Sequence, residues 1–92
     1  MPTVKKKPAD NHYFRISAAA EAAGVSKQTV EYYIMIGLLE PIRLPNRHGR
    51  FFNEKLVRRI KLIRRLNRLG YTLREIRRTY MRRLDRQAPG GK

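Results

Sequence analysis

The sequence predicts an all-α fold with a small β-hairpin wing, a winged helix-turn-helix built from four helices, and three observations predict it. The run Val25-Ser-Lys-Gln-Thr-Val-Glu-Tyr-Tyr33, closing at Gly37-Leu-Leu39, puts apolar and polar residues on opposite faces at helical spacing. Ala20, Gly24 and Val30 stand where two crossing helices need a small residue, a turn glycine and a branched apolar pin. Between two short apolar pieces lies the turn cluster Pro45 to Gly49, decorated with arginines, which predicts a basic hairpin.

Each element has a local signal. Ser17 is the expected N-cap of a first helix, Ala18 to Ala23, whose small residues allow close packing and which Gly24 ends. Ser26 caps the second, Lys27 to Ile36, closed by Gly37. Val30, Tyr33, Ile34 and Gly37 share one side of it; Lys27, Gln28, Glu31, Tyr32 and Met35 lie toward the other. The hairpin follows over Pro41 to Phe52. Asn53 caps a third helix, Glu54 to Leu69, with the apolar stripe Leu56, Ile60, Ile63 and Leu66 and with Arg58, Lys61, Arg65 and Arg68 on another face. Thr72 and Glu75 have the spacing of a capping box for a fourth helix, which runs with Leu73, Ile76, Tyr80 and Leu84 on one side and ends near Leu84.

Organisation follows from composition. Residues 1–12, with two prolines and a lysine triplet, read as a disordered basic tail, and 86–92 as a second loose tail around one domain over 13–85. In 92 residues there is room for one small core and little space for an enclosed substrate cavity. The 22 Lys and Arg against 7 Asp and Glu give a formal net charge of +15. Self-repulsion on that scale costs stability, so a polyanionic partner is the expected reason for it, and the major groove of DNA is the expected seat of the second helix.

There is no cysteine, which excludes disulfides and thiolate metal sites. His12 and His48 are the only histidines and are not at ligand spacing, so no metal or other cofactor is expected. No catalytic triad, paired catalytic carboxylates or phosphate-cradling glycine loop is present, and the expectation is a protein that is not an enzyme. No apolar run approaches the roughly 20 residues of a membrane span. No membrane partner is expected, and the expected location is the cytoplasm, in association with the nucleoid.

These pieces, in this order, resemble the DNA-binding domain of the MerR family of transcription regulators. Phe14-Arg-Ile-Ser17 resembles its opening, Gly24 to Tyr33 its recognition helix and Gly37-Leu-Leu39 the closing turn. Gly49-Arg-Phe-Phe52 resembles the end of its wing, and Leu62 to Ile76 the helix pair of its second wing. The resemblance covers about Tyr13 to Leu84 and implies sequence-selective binding of double-stranded DNA in transcription regulation. The sequence departs from the pattern at Glu31, where the family usually has an arginine, and at Ile34, where it usually has an acid. The expectation is a short stand-alone form without the family's dimerisation coiled coil and effector domain, hence without a small-molecule effector.

The candidate DNA-binding residues follow. Lys27 and Gln28 suit guanine and adenine edges, and Glu31 could accept from cytosine N4. Tyr32 is expected to give its hydroxyl to a phosphate. Ser26 begins the helix, and Thr29 matches a family residue near DNA but suits the helix's first turn equally. Arg43, Arg47 and Arg50 are expected to clamp the backbone, which positions without reading sequence. His48, at the wing tip, suits DNA or water. Arg65, Arg68 and Tyr71 match the second wing. Tyr33, Phe51 and Phe52 are expected in the core.

Other functions fit the same residues. One is an architectural or recombination-accessory protein of the excisionase kind; another is a MerR-like domain that binds a protein such as a co-chaperone, which Glu31 favours and the arginine-rich wing disfavours. RNA binding lacks an exposed aromatic pair on a sheet. One winged module contacts a short half-site, so either cooperative assembly on DNA or pairing through Ile76, Tyr80 and Leu84 is expected. Counter-ion release gives a slope of about −0.9 per phosphate contact in a plot of log affinity against log salt. Arg47→Ala and Arg50→Ala should each flatten that slope by about one unit, and a slope unchanged in both would remove the wing from the binding surface.

Overall fold

A computed structural model describes residues 12–81, and these group into two compact units that divide inside the third helix, after Lys61. The helices are α1 (Ile16–Ala23), α2 (Lys27–Met35), α3 (Glu54–Arg68) and α4 (Leu73–Glu75), the last continuing as a π-helical stretch over Ile76–Met81. Among the described residues no helix is long and apolar enough to cross a membrane. The tail over residues 1–11, the end of the fourth helix at Leu84 and the stretch after it lie outside the described residues.

In the first unit the small side chains of α1 let α2 approach. Ala19, Ala20 and Ala23 are buried, and so are Val30 and Tyr33 on the inner face of α2. Gly24 makes the turn at φ 76°, with Gly24 N–H bonded to Glu21 O and Val25 N–H to Ala20 O. A left-handed residue is what that pair of bonds needs, and glycine takes the conformation without a Cβ penalty. The same pair of bonds closes α2, from Gly37 and Leu38, and α3, from Gly70 and Tyr71.

Three extended segments complete this unit. Phe52 pairs with Phe14 and Phe51 with Ile42, both antiparallel, so the Phe51–Phe52 segment lies between the other two. The backbone bonds are short, 2.7 and 2.8 Å on one side and 2.8 and 2.9 Å on the other. The predicted hairpin is therefore a single bridge, Ile42 to Phe51, with a turn closed by Arg47 N–H on Leu44 O at 3.3 Å. Leu38, Leu39, Phe51, Phe52, Leu56, Val57 and Ile60 fill the core beneath it.

Ser17 is not the cap of α1. The helix begins at Ile16 with Arg15 in the capping position and no side-chain cap. The cause is the Phe14–Phe52 bridge, which holds the chain extended to residue 14 and leaves Arg15 as the turning point. The other predicted caps are present: Ser26 Oγ accepts from Thr29 N–H at 3.0 Å, and Asn53 Oδ1 from Leu56 N–H at 3.0 Å.

In the second unit Thr72 and Glu75 form the reciprocal box, with Thr72 N–H on Glu75 Oε1 at 2.8 Å and Glu75 N–H on Thr72 Oγ1 at 3.0 Å. Ile63 and Ile76 are buried. The fourth helix widens to π after Glu75. The wider turn uses the same residue types as an α-turn, so an apolar stripe does not announce it. Ile76 faces the interior of its own chain and has almost no surface to offer a second copy; the Tyr80 side chain and Leu84, the other members of the pairing stripe, lie outside the described part.

Because Phe52 is fully buried, Phe52→Ala should cost about 3–5 kcal/mol. The loss of the Thr72 cap in Thr72→Ala should cost about 1 kcal/mol. Urea unfolding followed by far-ultraviolet circular dichroism checks the ranking, and equal losses would contradict it.

Candidate nucleic-acid interface

Burial of Val30 and Tyr33 fixes the roll of α2 and so decides what its other face shows. Lys27 and Gln28 are exposed in the first turn, and Tyr32 is 47% exposed one turn on. Two long polar side chains and a phenol thus share an outward surface. Ser26 and Thr29 are spent locally: their hydroxyl oxygens lie 2.9 Å apart, and Ser26 Oγ also takes the Thr29 N–H. Of the two roles open to Thr29, the first-turn role is the one its hydroxyl occupies here.

Glu31 does not stand free on that face. Arg50 Nη1 donates to Glu31 Oε1 at 3.0 Å and Arg50 Nη2 to Oε2 at 2.9 Å, a two-pronged ion pair from the wing to α2. Each carboxylate oxygen accepts one hydrogen bond from Arg50, which occupies one of its two lone pairs and leaves the side chain 42% exposed. The hydrogen bonds from Arg50 lower the Glu31 pKa; partial burial opposes this, and the charges of Arg50 and Lys27 add to the lowering. The Arg50 pKa is raised in turn, first by its hydrogen bonds to Glu31.

Three further arginines gather at the wing. The Arg15 guanidinium lies 4.5 Å from the centre of the Phe51 ring and the Arg47 guanidinium 4.8 Å from it. Arg15 Nη1 donates to His48 O at 3.2 Å, and Arg43 Nη1 makes a longer contact to Gly49 O at 3.5 Å. A cation over an aromatic face is attracted by the ring's quadrupole, and here one buried ring holds two. Among the described residues Arg15, Arg43 and Arg47 are in no ion pair. Gly49 permits the approach: a Cβ there would fall 2.6 Å from Arg15 Nη1, on a backbone at φ 107°. The His48 ring is at the exposed tip, while its carbonyl serves Arg15.

Arg15 was absent from the residues expected to bind. It is 33 positions from His48 in sequence, and its place depends on the Phe14–Phe52 bridge. The one available signal was its position inside Phe14-Arg-Ile-Ser17.

The second unit holds Arg65 and Arg68 in the last turn of α3, both exposed, and Tyr71, 54% exposed. Asn67 Nδ2 donates to Tyr71 O at 2.7 Å and fixes the backbone there. Tyr71 also lines a groove of about 360 Å³ with Leu66, Glu75, Ile76 and Thr79. Among the described residues no cluster of His, Cys, Asp and Glu could hold a metal ion.

Comparison with known proteins agrees with this fold. The family model described as MerR HTH family regulatory protein matches residues 14–83. The mercuric resistance operon regulatory protein of Bacillus cereus is 36% identical over 63 residues, 68% of this chain and 48% of the relative. The HTH-type transcriptional regulator CueR of Bacillus subtilis (strain 168) is 42% identical over 50 residues, 54% of this chain and 34% of that one. Among solved structures, HiNmlR, a MerR family regulator lacking the sensor domain and bound to promoter DNA, superposes with a TM-score of 0.66 at 28% identity. That match covers 73% of this chain and 51% of HiNmlR. The transcription regulator PbrR691 from Ralstonia metallidurans CH34, in complex with lead(II), gives 0.69 at 29% identity, over 85% and 60%. The chain spans between 27% and 48% of the length of such sequence relatives.

The folded-state pKa of Glu31 lies below its unfolded value. The link to Arg50 is therefore complete above the ordinary glutamate range and is lost as pH falls through the lowered folded value. A carbon-13 titration of the Glu31 carboxyl should show a midpoint below the usual glutamate range that rises in Arg50→Ala. Identical midpoints would mean that the pair does not persist in solution.

Proposed function

The chain belongs to the MerR HTH family of regulatory proteins, and from that premise we propose that it binds double-stranded DNA at promoter-type sites, with α2 in the major groove and the wing along the backbone. The observation that supports this most is the outward face of Lys27, Gln28 and Tyr32 beside arginines that no carboxylate among the described residues neutralises. HiNmlR, whose likeness extends over most of this chain, was solved on promoter DNA.

On this reading Lys27 and Gln28 approach base edges, where a lysine suits guanine and a glutamine suits adenine. Tyr32, Arg43, Arg47 and, in addition, Arg15 engage phosphates. Ser26 and Thr29 set the start of the helix and bring its first backbone N–H groups toward the duplex. His48, at the tip, touches backbone or water. Arg65, Arg68 and Tyr71 act as a second, separate contact. Phosphate contacts supply affinity and register, and the few base contacts supply selectivity. One such module buries about 600–1,000 Å², so we infer that more than one copy assembles on a site. With Ile76 buried, assembly by cooperation along the DNA is the form that fits. The place of action on this reading is the bacterial chromosome, in the cytoplasm.

Selection from a random duplex pool, followed by anisotropy titration of the enriched site, random duplex and structured RNA, tests the proposal. The enriched duplex should bind tightest, and Gln28→Ala should lower discrimination at one base position by about 1–3 kcal/mol. Failure to enrich any sequence, or tighter binding to RNA, would contradict it.

A further inference from the structure

The ion pair between Glu31 and Arg50 is more than a link between wing and helix. It uses two of the five N–H donors of a planar guanidinium, one on Nη1 and one on Nη2. The adjacent edge, Nε–H with the second Nη2 hydrogen, is a complete fork with no acceptor among the described residues. Its geometry suits two oxygens of one phosphate. The Arg50 side chain keeps 32% of its surface exposed, and Glu31 keeps 42%. The pair lies on the outward side of α2, with Lys27 on the same helix close enough for its charge to act on Glu31.

We propose that Glu31 is a positioning residue: its carboxylate grips one edge of the Arg50 guanidinium and thereby aims the other edge at a phosphate of duplex DNA next to α2. This rests on the duplex-binding reading and adds a role that the charge of Glu31 alone would contradict. An isolated carboxylate on a DNA-facing helix repels phosphate. Held by Arg50 it is neutralised, and the arginine gives up part of its rotamer freedom before any DNA arrives, so less is lost on binding. The contact is to backbone, so it contributes affinity in every sequence.

The sign of one substitution in two backgrounds tests this. Glu31→Gln keeps the shape and removes the charge, and a pair this exposed has little hold on the fold, which melting curves of each variant would verify. The probe is a fluorescein-labelled random-sequence duplex titrated with the full chain over a range of salt. In the wild-type background E31Q should weaken binding by roughly three- to tenfold, as expected for a misplaced charge-assisted hydrogen bond. It should also flatten the salt slope by about one unit. In the Arg50→Ala background, where Glu31 has lost its guanidinium and only repels, E31Q should tighten binding. Tightening or no change in both backgrounds would overturn the positioning role while leaving duplex binding intact, and weakening in both would assign Glu31 a role independent of Arg50. A wild-type chain that binds no duplex even at low salt would overturn the functional reading itself.

Discussion

The Phe51–Phe52 segment holds the first unit together, because its two residues pair in opposite directions. Phe52 exchanges two backbone bonds with Phe14, and Phe51 exchanges two with Ile42. The first exchange fixes where α1 begins and thereby where Arg15 stands. The second anchors the wing. Both rings are buried, and that of Phe51 lies within 5 Å of the guanidiniums of Arg15 and Arg47. One apolar dipeptide thus sets the spacing of charges that would otherwise repel one another apart. Removing it would cost the core contacts and disperse the cations at once.

What the sequence made legible was mostly local. Ser26, Asn53 and the Thr72–Glu75 box announce helix starts because a capping side chain acts within three residues of itself. Gly24 announces a turn for a similar reason. The apolar faces of α2 and α3 followed from periodicity, with Val57 added to the expected stripe. Ser17 misled because its chemistry is right for a cap, whereas the bridge at Phe14, formed with a residue far along the chain, decides the boundary. The register change after Glu75 was invisible for want of any distinguishing composition.

The candidate site divides in the same way. Exposure of Lys27, Gln28 and Tyr32 was predictable once Val30 and Tyr33 were placed inside. The partnership of Glu31 with Arg50 spans 19 positions, and the pairing of two arginines with Phe51 depends on tertiary placement; periodicity speaks to neither. Glu31 looked like a departure from the family resemblance, an acid where an arginine is usual. The fold brings a guanidinium to that same place from the wing, so the acid and the arginine have to be understood together.

The central claim is that the outward face of α2 and the wing form a single duplex-binding surface, and amide chemical-shift mapping tests it most directly. On titration of nitrogen-15-labelled protein with its selected duplex, the largest shifts should fall on residues 26–32 and 43–50 and on Arg15, with Ala19 and Ile60 nearly unmoved. Shifts confined to residues outside those segments, or spread evenly along the chain, would contradict the account.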